Sequence, residues 1–166
     1  MKVNIALLTV TDTRTIDNDK SGGILVNKFK DANHNLIERK ICKDNKDDIV
    51  VILREWLKNE KIDVIITTGG TGLTGRDITP EALNEVAEKH IPGFGEIFRN
   101  ISIKTVGTSA IQSRACAVLS NGKYVFALPG SSGGVTDAWE GILKHQLDIN
   151  HKPSNFVELF PRLKEK

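Results

Sequence analysis

The sequence has only two cysteines, Cys42 and Cys116, in 166 residues. They lie far apart, without a C-x-x-C motif or a nearby pair of histidines, so neither a zinc site nor a disulfide framework is expected. Charge of one sign is not in excess either, because 23 Lys and Arg residues balance 21 Asp and Glu residues to a net charge of +2. The sequence therefore lacks the excess of basic residues that is typical of nucleic-acid-binding proteins, and no nucleic-acid partner is expected.

Long apolar segments are also lacking. No stretch approaches the roughly 20 residues that a membrane-spanning helix needs. The apolar run over residues 3–10 is too short for a signal peptide and is not followed by a cleavage site. These absences predict a cytoplasmic protein with reduced cysteines and no membrane partner.

The sequence does contain a regular alternation of apolar runs and amphipathic segments. Strands are predicted over residues 3–10, 35–42 and 62–68. The first and third are almost continuously apolar, as in parallel strands covered on both faces, whereas the second is less apolar and is expected nearer a sheet edge. No repeat, linker or low-complexity segment is present, and residues 1–166 are predicted to form a single domain.

Helix and turn signals complete the fold prediction. Asn45 is the expected N-cap of the helix after the second strand. Thr79 as N-cap and Pro80 at the first helical position predict a helix to about residue 89. Asn121-Gly122 between two apolar runs predicts an antiparallel hairpin. We therefore predict a three-layer α/β/α fold, with a mostly parallel sheet and one antiparallel edge hairpin. Further helices are expected over residues 94–103 and 136–147.

A glycine-rich loop follows the third strand, and its Gly70, Gly72 and Gly75 satisfy the pattern G-x-G-x-x-G. In a dinucleotide-binding turn the helix starts within the glycines, and an acid ends the next strand about 20 residues later. Here the helix starts only at Thr79-Pro80, and the later stretch is itself a helix start. The Lys-Ser/Thr of a P-loop is missing as well. The sequence therefore argues against a dinucleotide-binding turn.

The same glycines favour a backbone nest that binds an anion, and the helix start at Thr79 adds partial positive charge. Asp77 would repel a phosphate unless a cation lay between them. Mg²⁺ is the expected cation, because it prefers one or two carboxylates together with substrate phosphates. A tight turn capped by Asp77 is the simpler alternative. A functional loop is favoured because several glycines, Arg76 and Asp77 occur together in a long connection.

Three other polar loops follow strands, and in such sheets ligands bind beyond the carboxyl ends of the strands. The first contains Asp12 and Arg14, the second contains Asp44, and the last is Pro129–Ser132. Each also has a simpler interpretation. Asp12 and Arg14 could pair with each other, Asp44 could cap a helix, and Pro129–Ser132 could be an ordinary connection with a serine cap.

Three segments together resemble the MoaB/MogA family of molybdenum cofactor biosynthesis proteins. They are TTGGTGLTGRDITPEAL (67–83), IPGFGEIFR (91–99) and FALPGSSGGVTDAWEGI (126–142). The likeness covers nearly the whole chain, and the sequences PGSS and HKPSNF look more like the MoaB branch. The resemblance implies the molybdopterin-binding α/β fold, and a homotrimer or a hexamer made of two trimers.

The resemblance also implies a reaction. Active members of the family transfer AMP from ATP, with Mg²⁺, to the terminal phosphate of molybdopterin and release pyrophosphate. ATP is then a substrate, no tightly bound prosthetic group is expected, and the product is passed on to a metal-inserting, MoeA-like protein. The family's catalytic, Mg²⁺-associated carboxylates fall on Asp44 and Asp77. The resemblance assigns Gly69, Gly70, Thr71, Gly72, Thr79 and Glu81 to the nucleotide or phosphate, and Asp12, Arg14, Ser21, Pro129, Gly130, Ser131 and Ser132 to molybdopterin.

Some MoaB members that look inactive lack the Arg-Asp pair of the long loop, whereas this chain keeps Arg76-Asp77, which favours activity. In many relatives a proline precedes the aspartate before the second helix, but here Lys43 precedes Asp44. The alternatives are a non-catalytic molybdopterin carrier, a nicotinamide-nucleotide hydrolase of the related competence-damage family, and a purely structural oligomer. The sequence does not distinguish a molybdenum pathway from a tungsten pathway, or ATP from another nucleotide.

Overall fold

A computed structural model describes all 166 residues and contains one six-stranded sheet. The strands are Asn4–Val10 (β1), Asn35–Cys42 (β2), Val64–Thr68 (β3), Lys89–His90 (β4), Cys116–Ser120 (β5) and Lys123–Leu128 (β6). They are ordered β2-β1-β3-β6-β5-β4 across the sheet. β2, β1, β3 and β6 are parallel, while β5 is antiparallel to both β6 and β4. The predicted mostly parallel sheet with an antiparallel edge is confirmed.

Six α-helices connect or follow these strands. The cap of the second helix was predicted correctly, because the Asn45 side chain accepts a hydrogen bond from the Asp48 N–H at 3.0 Å. The helices are Lys20–Asp31 (α1), Lys46–Lys58 (α2), Thr79–Val86 (α3), Pro92–Val106 (α4), Ser132–Ala138 (α5) and Lys144–Gln146 (α6), with a π-helical turn, Trp139–Leu143, between the last two. Three short 3-10 helices span Ile16–Asn18, Gly107–Gln112 and Val157–Arg162.

Helices cover both faces of the sheet and produce the expected three layers. On one face Trp56 of α2 is fully buried among apolar side chains of α2, α3 and the strands. On the other face Phe29 of α1 packs against Trp139 with ring centroids 5.3 Å apart. Every residue of β3 and β6 is buried, which explains why these central strands are almost continuously apolar. β2 lies at one edge, as its weaker hydrophobicity predicts.

Several predicted boundaries are corrected by the structure. α3 includes Thr79 as its first residue, with Ile78 in the capping position, and it ends at Val86 because the chain turns there into the edge strand β4. The last helical region begins at Ser132 rather than at residue 136, since Ser131 caps it by accepting a hydrogen bond from the Gly134 N–H. β4 has only two residues, too few to produce a periodic sequence pattern.

None of the helices combines the length and the apolar character that crossing a membrane would require. The four parallel strands end at one edge of the sheet, at Val10, Cys42, Thr68 and Leu128. The four polar loops that the sequence singles out therefore start from the same edge.

Candidate active site

Two adjoining cavities lie at the carboxyl edge of the parallel strands. The larger, of about 580 Å³, is bounded by the glycine loop, α4 with the following 3-10 segment, and the start of α5. The smaller, of about 380 Å³, is bounded by the ends of β1 and β3 and by Asp44. Gly70, Gly130 and Ser131 line both cavities. A ligand at this edge can therefore occupy both cavities by passing along these three residues.

The glycine loop leaves β3 through two residues with left-handed backbone angles, Gly69 (φ 104°) and Gly70 (φ 69°). The Gly69 N–H continues the pairing with β6 by donating to the Leu128 carbonyl at 3.0 Å. A Cβ on Gly69 would lie 2.2 Å from the Val10 carbonyl oxygen, and one on Gly130 would lie 3.3 Å from the Gly69 Cα. Glycine is therefore needed where the loops after β1, β3 and β6 pack together.

Thr79 supports this loop from behind. Its hydroxyl donates to the Gly69 carbonyl at 2.8 Å, and its backbone N–H donates to the Gly70 carbonyl at 3.0 Å. The residue is fully buried and lines neither cavity. The structure thus gives Thr79 a supporting position, in place of the phosphate contact that the resemblance implies.

Asp77 lies in the wall of the larger cavity, beside Gly72. Its Oδ2 accepts hydrogen bonds from the Thr74 N–H at 2.9 Å and from the Thr74 hydroxyl at 2.8 Å. Burial opposes ionisation of this carboxyl, but the hydrogen bonds from Thr74 and Gly72 and the charge of Arg114 outweigh burial and hold the pKa of Asp77 below its ordinary value. Asp77 is therefore an anion at neutral pH.

Asp44 lies in the wall of the smaller cavity. A Cβ on Gly70 would be 3.4 Å from its Oδ1, so the carboxylate is in contact range of the loop backbone. Burial raises the pKa of Asp44 above its ordinary value, and the negative charges of Asp12 and Asp77 raise it further, against the opposing charge of Arg76. The loops thus bring Asp44 beside Gly70 and Asp77 beside Gly72 of the same short backbone segment.

Asp12 and Arg14 do not pair with each other. Asp12 accepts a hydrogen bond from the Asp44 N–H at 3.1 Å and one from Arg76 Nε at 3.0 Å. Arg14 Nη1 donates to the Ser21 hydroxyl at 3.3 Å and to the Gly130 carbonyl at 3.4 Å. Arg14 therefore lines the smaller cavity with Ser21, while Asp12 connects three loops at its margin.

The remaining predicted residues divide between the cavity walls and their surroundings. Thr71, Gly72 and Pro129 line the larger cavity. Ser132 lines neither cavity, and Glu81 forms an ion pair with Arg114 outside both.

The far wall of the larger cavity is not predicted from the sequence, because the periodicity of α4 and α5 does not distinguish cavity-facing polar residues from solvated ones. This wall contains Ser102, Thr105, Ser109, Gln112, Ser113 and Asp137.

Asp44 and Asp77 are the candidate metal-binding side chains at the glycine loop. No group of three or more His, Cys, Asp or Glu side chains is arranged to hold a metal ion by itself. Asp44 and Asp77 supply only carboxylate oxygens, the donor type that Mg²⁺ prefers, and Mg²⁺ commonly takes one or two carboxylates together with substrate phosphates. The site fits Mg²⁺ bound to a phosphorylated ligand.

The chain is a three-layer α/β domain with a polar site at the carboxyl edge of its parallel strands. The model of the family described as probable molybdopterin binding domain matches residues 6–149, and the chain belongs to this family. Within it, the chain is similar to the molybdenum cofactor biosynthesis protein B of Escherichia coli K12, with 40% identity over 161 residues, covering 97% of this chain and 93% of the relative.

Solved structures agree with this assignment. A crystal structure of a molybdenum cofactor biosynthesis protein B superimposes with a TM-score of 0.90 at 36% identity, covering 100% of this chain and 98% of that one. The tungsten cofactor synthesizing protein MoaB from Pyrococcus furiosus superimposes with a TM-score of 0.77 at 33% identity, covering 87% of this chain and 92% of that one. The predicted resemblance to the MoaB/MogA family is confirmed, and with it a place in molybdenum cofactor biosynthesis.

Proposed function

We propose that this chain is a molybdopterin adenylyltransferase. An oxygen of the terminal phosphate of molybdopterin attacks the α-phosphorus of ATP. The bond between the α-phosphorus and the oxygen that bridges to the β-phosphate breaks, and pyrophosphate leaves with the electron pair. The products are adenylylated molybdopterin and pyrophosphate, and the phosphate nucleophile is already anionic, so no general base is needed.

The observation that carries this proposal is the position of Asp44 beside Gly70 and of Asp77 beside Gly72, on one short glycine-rich backbone segment. Both acids border a backbone that can accommodate phosphate groups, and Gly70 lies at the junction of the two cavities. Two carboxylates would repel a triphosphate unless a cation lay between them. Asp44 and Asp77 would hold Mg²⁺ on the ATP phosphates, where the ion neutralises negative charge and strengthens the electrophilic character of phosphorus.

The chain's own contribution is positioning. Phosphoryl and nucleotidyl transfer depend mainly on alignment and charge neutralisation, because the protein has little covalent chemistry to perform. The backbone N–H groups of Gly70–Gly72 and the guanidinium of Arg14 provide donors and positive charge along the two cavities. Arg76 lies at their margin and adds a second guanidinium, now paired with Asp12.

Molybdopterin has two candidate contact regions, the loop Pro129–Ser131 and the far wall of the larger cavity. The volume of about 580 Å³ lies within the range of sites that bind cofactor-sized molecules. The polar wall opposite the glycine loop offers hydroxyl, amide and carboxylate groups to a pterin ring. Pro129, Gly130 and Ser131 line the same cavity, and Gly130 packs against Gly69 of the glycine loop.

The family resemblance further supports a homotrimer, or a hexamer of two trimers, and transfer of the product to a MoeA-like protein. Light scattering of the purified chain during gel filtration measures the assembly directly. A mass of three or six chains supports this part of the proposal, and a monomer contradicts it.

Purified protein incubated with molybdopterin, ATP and Mg²⁺ tests the activity. We expect adenylylated molybdopterin and pyrophosphate in equal amounts, and a loss of at least about a hundredfold in rate for Asp77→Ala. Asp47→Asn, an exposed acid of α2 away from both cavities, is the matched control and should keep the wild-type rate. Asp77→Ala at the wild-type rate would contradict the mechanism. Molybdopterin binding without pyrophosphate release would instead support a carrier.

A further inference from the structure

Arg114, just before β5, contacts the glycine loop at three backbone carbonyls. Its backbone N–H donates to the Thr71 carbonyl at 2.8 Å, its Nε to the Gly72 carbonyl at 2.7 Å, and its Nη2 to the Asp77 carbonyl at 2.7 Å. One residue therefore ties the glycines at the start of the loop to the acid at its end.

These contacts determine the direction of the loop's N–H groups. In a trans peptide the carbonyl and the following N–H point in opposite directions. Because the carbonyls of Thr71 and Gly72 point to Arg114, the N–H groups of Gly72 and Leu73 point away from it. The carbonyl oxygens of Thr71 and Gly72, which would repel a phosphate, thus face Arg114, on the side away from these N–H groups.

Thr79 has the same effect on the preceding peptides. It binds the carbonyls of Gly69 and Gly70, so the N–H groups of Gly70 and Thr71 point away from α3. Thr79 and Arg114 together bind four consecutive carbonyls, from Gly69 to Gly72. The N–H groups of the same four peptides, those of residues 70–73, therefore point away from Thr79 or from Arg114, as a backbone nest for an anion requires.

Arg114 is itself held on two sides. Its guanidinium pairs with Glu81 of α3, and Arg99 of α4 donates to the carbonyls of Ser113 at 3.3 Å and Ala115 at 3.0 Å. All three guanidinium nitrogens of Arg114 are used. A lysine has one ammonium group and cannot reach these separate acceptors in the same fixed geometry.

We propose that Arg114 is a positioning residue for nucleotide binding: it turns the loop carbonyls outward and so presents the loop N–H groups to the ATP phosphates without contacting them. The inference rests on the function proposed above, in which this loop binds the nucleotide. It assigns to Glu81 the role of orienting Arg114, in place of a direct phosphate contact.

The test uses the full chain with Arg114→Ala and Arg114→Lys, and Arg54→Ala as the control. Arg54 is an exposed arginine of α2 that also pairs with a glutamate, Glu85, but lies away from the loop. Titration calorimetry with Mg²⁺-ATP should show a loss of affinity of about tenfold or more for both Arg114 variants. Molybdopterin affinity should change less, and the control should match wild type.

Two further measurements separate positioning from general stability. Hydrogen exchange without ligand should be faster at the amides of residues 70–78 in the Arg114 variants, but unchanged in β1 and β3. Methylguanidinium should restore part of the Mg²⁺-ATP affinity of Arg114→Ala and leave the control unchanged. If Arg114→Ala does not fold, Arg114→Lys, which keeps the charge and the backbone contact, carries the test.

The possible outcomes distinguish the two proposals. Wild-type affinity for Mg²⁺-ATP in both Arg114 variants, or unchanged loop exchange, overturns the role of Arg114. A wild-type protein that binds Mg²⁺-ATP but forms no product contradicts the adenylyltransferase activity only. A wild-type protein that does not bind Mg²⁺-ATP contradicts both.

Discussion

Arg76 of the glycine loop and Asp12 of the loop after β1 form an ion pair, in which Arg76 Nε lies 3.0 Å from Asp12 Oδ2. The other oxygen of Asp12 accepts a hydrogen bond from the Asp44 N–H. Asp12 therefore links the loops that follow β1, β2 and β3. Both side chains of the pair are exposed to solvent, and such pairs stabilise a fold very little. Its two charges act on Asp44 in opposite directions, because Asp12 raises the pKa of that carboxyl and Arg76 lowers it.

The first prediction concerns the titration of Asp44. Burial, followed by the negative charge of Asp12, raises the pKa of the Asp44 carboxyl above its ordinary value of 3.8. Asp12→Asn removes that negative charge and leaves Arg76 unpaired, and both changes favour the carboxylate form. The pKa of Asp44 measured by carbon NMR of its side-chain carboxyl should therefore be lower in Asp12→Asn than in wild type. Asp17→Asn, which alters another exposed acid of the same loop, should leave it unchanged.

The second prediction concerns Gly69. Its φ of 104° is strained for any other residue, and an added Cβ would lie 2.2 Å from the Val10 carbonyl oxygen. Gly69→Ala should destabilise the protein by at least about 1–3 kcal/mol from backbone strain, with the steric clash adding to this. Urea unfolding measures the change.

Gly23→Ala is the matched control for this substitution. Gly23 lies in α1, and no atom lies within 4 Å of the position that its Cβ would take. Alanine there should leave stability unchanged or raise it by up to about 1 kcal/mol, because alanine favours a helix more than glycine does. Equal effects of the two substitutions would show that the Gly69 conformation is not required.

The third prediction concerns Asp19, a buried carboxylate at the start of α1. It accepts hydrogen bonds from the Thr9 hydroxyl at 2.6 Å, the Gly22 N–H at 3.0 Å and Arg39 at 3.1 Å. Burial disfavours the anion, but these three donors outweigh burial and hold the pKa of Asp19 below its ordinary value of 3.8. The resulting stabilisation is complete above the unfolded-state value and is lost as the pH falls through the lower folded-state pKa.

Asp19→Asn should therefore lower stability by about 1–3 kcal/mol at neutral pH. Its Tm should also decline less steeply than that of wild type as the solution is acidified below about pH 4. Thermal unfolding followed by circular dichroism over a series of pH values measures both effects. If Tm falls equally steeply with decreasing pH in the two proteins, Asp19 is not a source of the acid sensitivity.

The fourth prediction concerns the cysteines, both of which are free. Burial raises the pKa of the Cys116 thiol to about 11, and burial also raises the pKa of Cys42. Only the thiolate reacts readily with iodoacetamide, and the higher pKa reduces the thiolate fraction of Cys116 at neutral pH about a hundredfold. Mass spectrometry should find both cysteines alkylated far more slowly in the native protein than in urea. Rapid native labelling of Cys116 would contradict this.

The layers, most of the strands and the loops that carry the site are predictable from the residue pattern. Central strands such as β3 must be apolar on both faces, and parallel strands must end at one edge, so the strand pattern alone is enough to predict that Asp44 and Asp77 lie near each other. The motif around Arg76-Asp77 was specific enough to indicate the family. The strand pattern depends on local periodicity, and the family assignment depends on a long motif that few other proteins share.

The contacts between the loops, in contrast, depend on the packed fold. The pairing of Asp12 with Arg76, the support of Gly69 by Thr79 and the three contacts of Arg114 join residues between 10 and 64 positions apart in sequence. Thr79 looked like a helix cap because threonine commonly caps helices, yet its hydroxyl binds the loop. Local patterns report which groups can form hydrogen bonds, whereas the partner of each group depends on how the packed layers bring distant loops together.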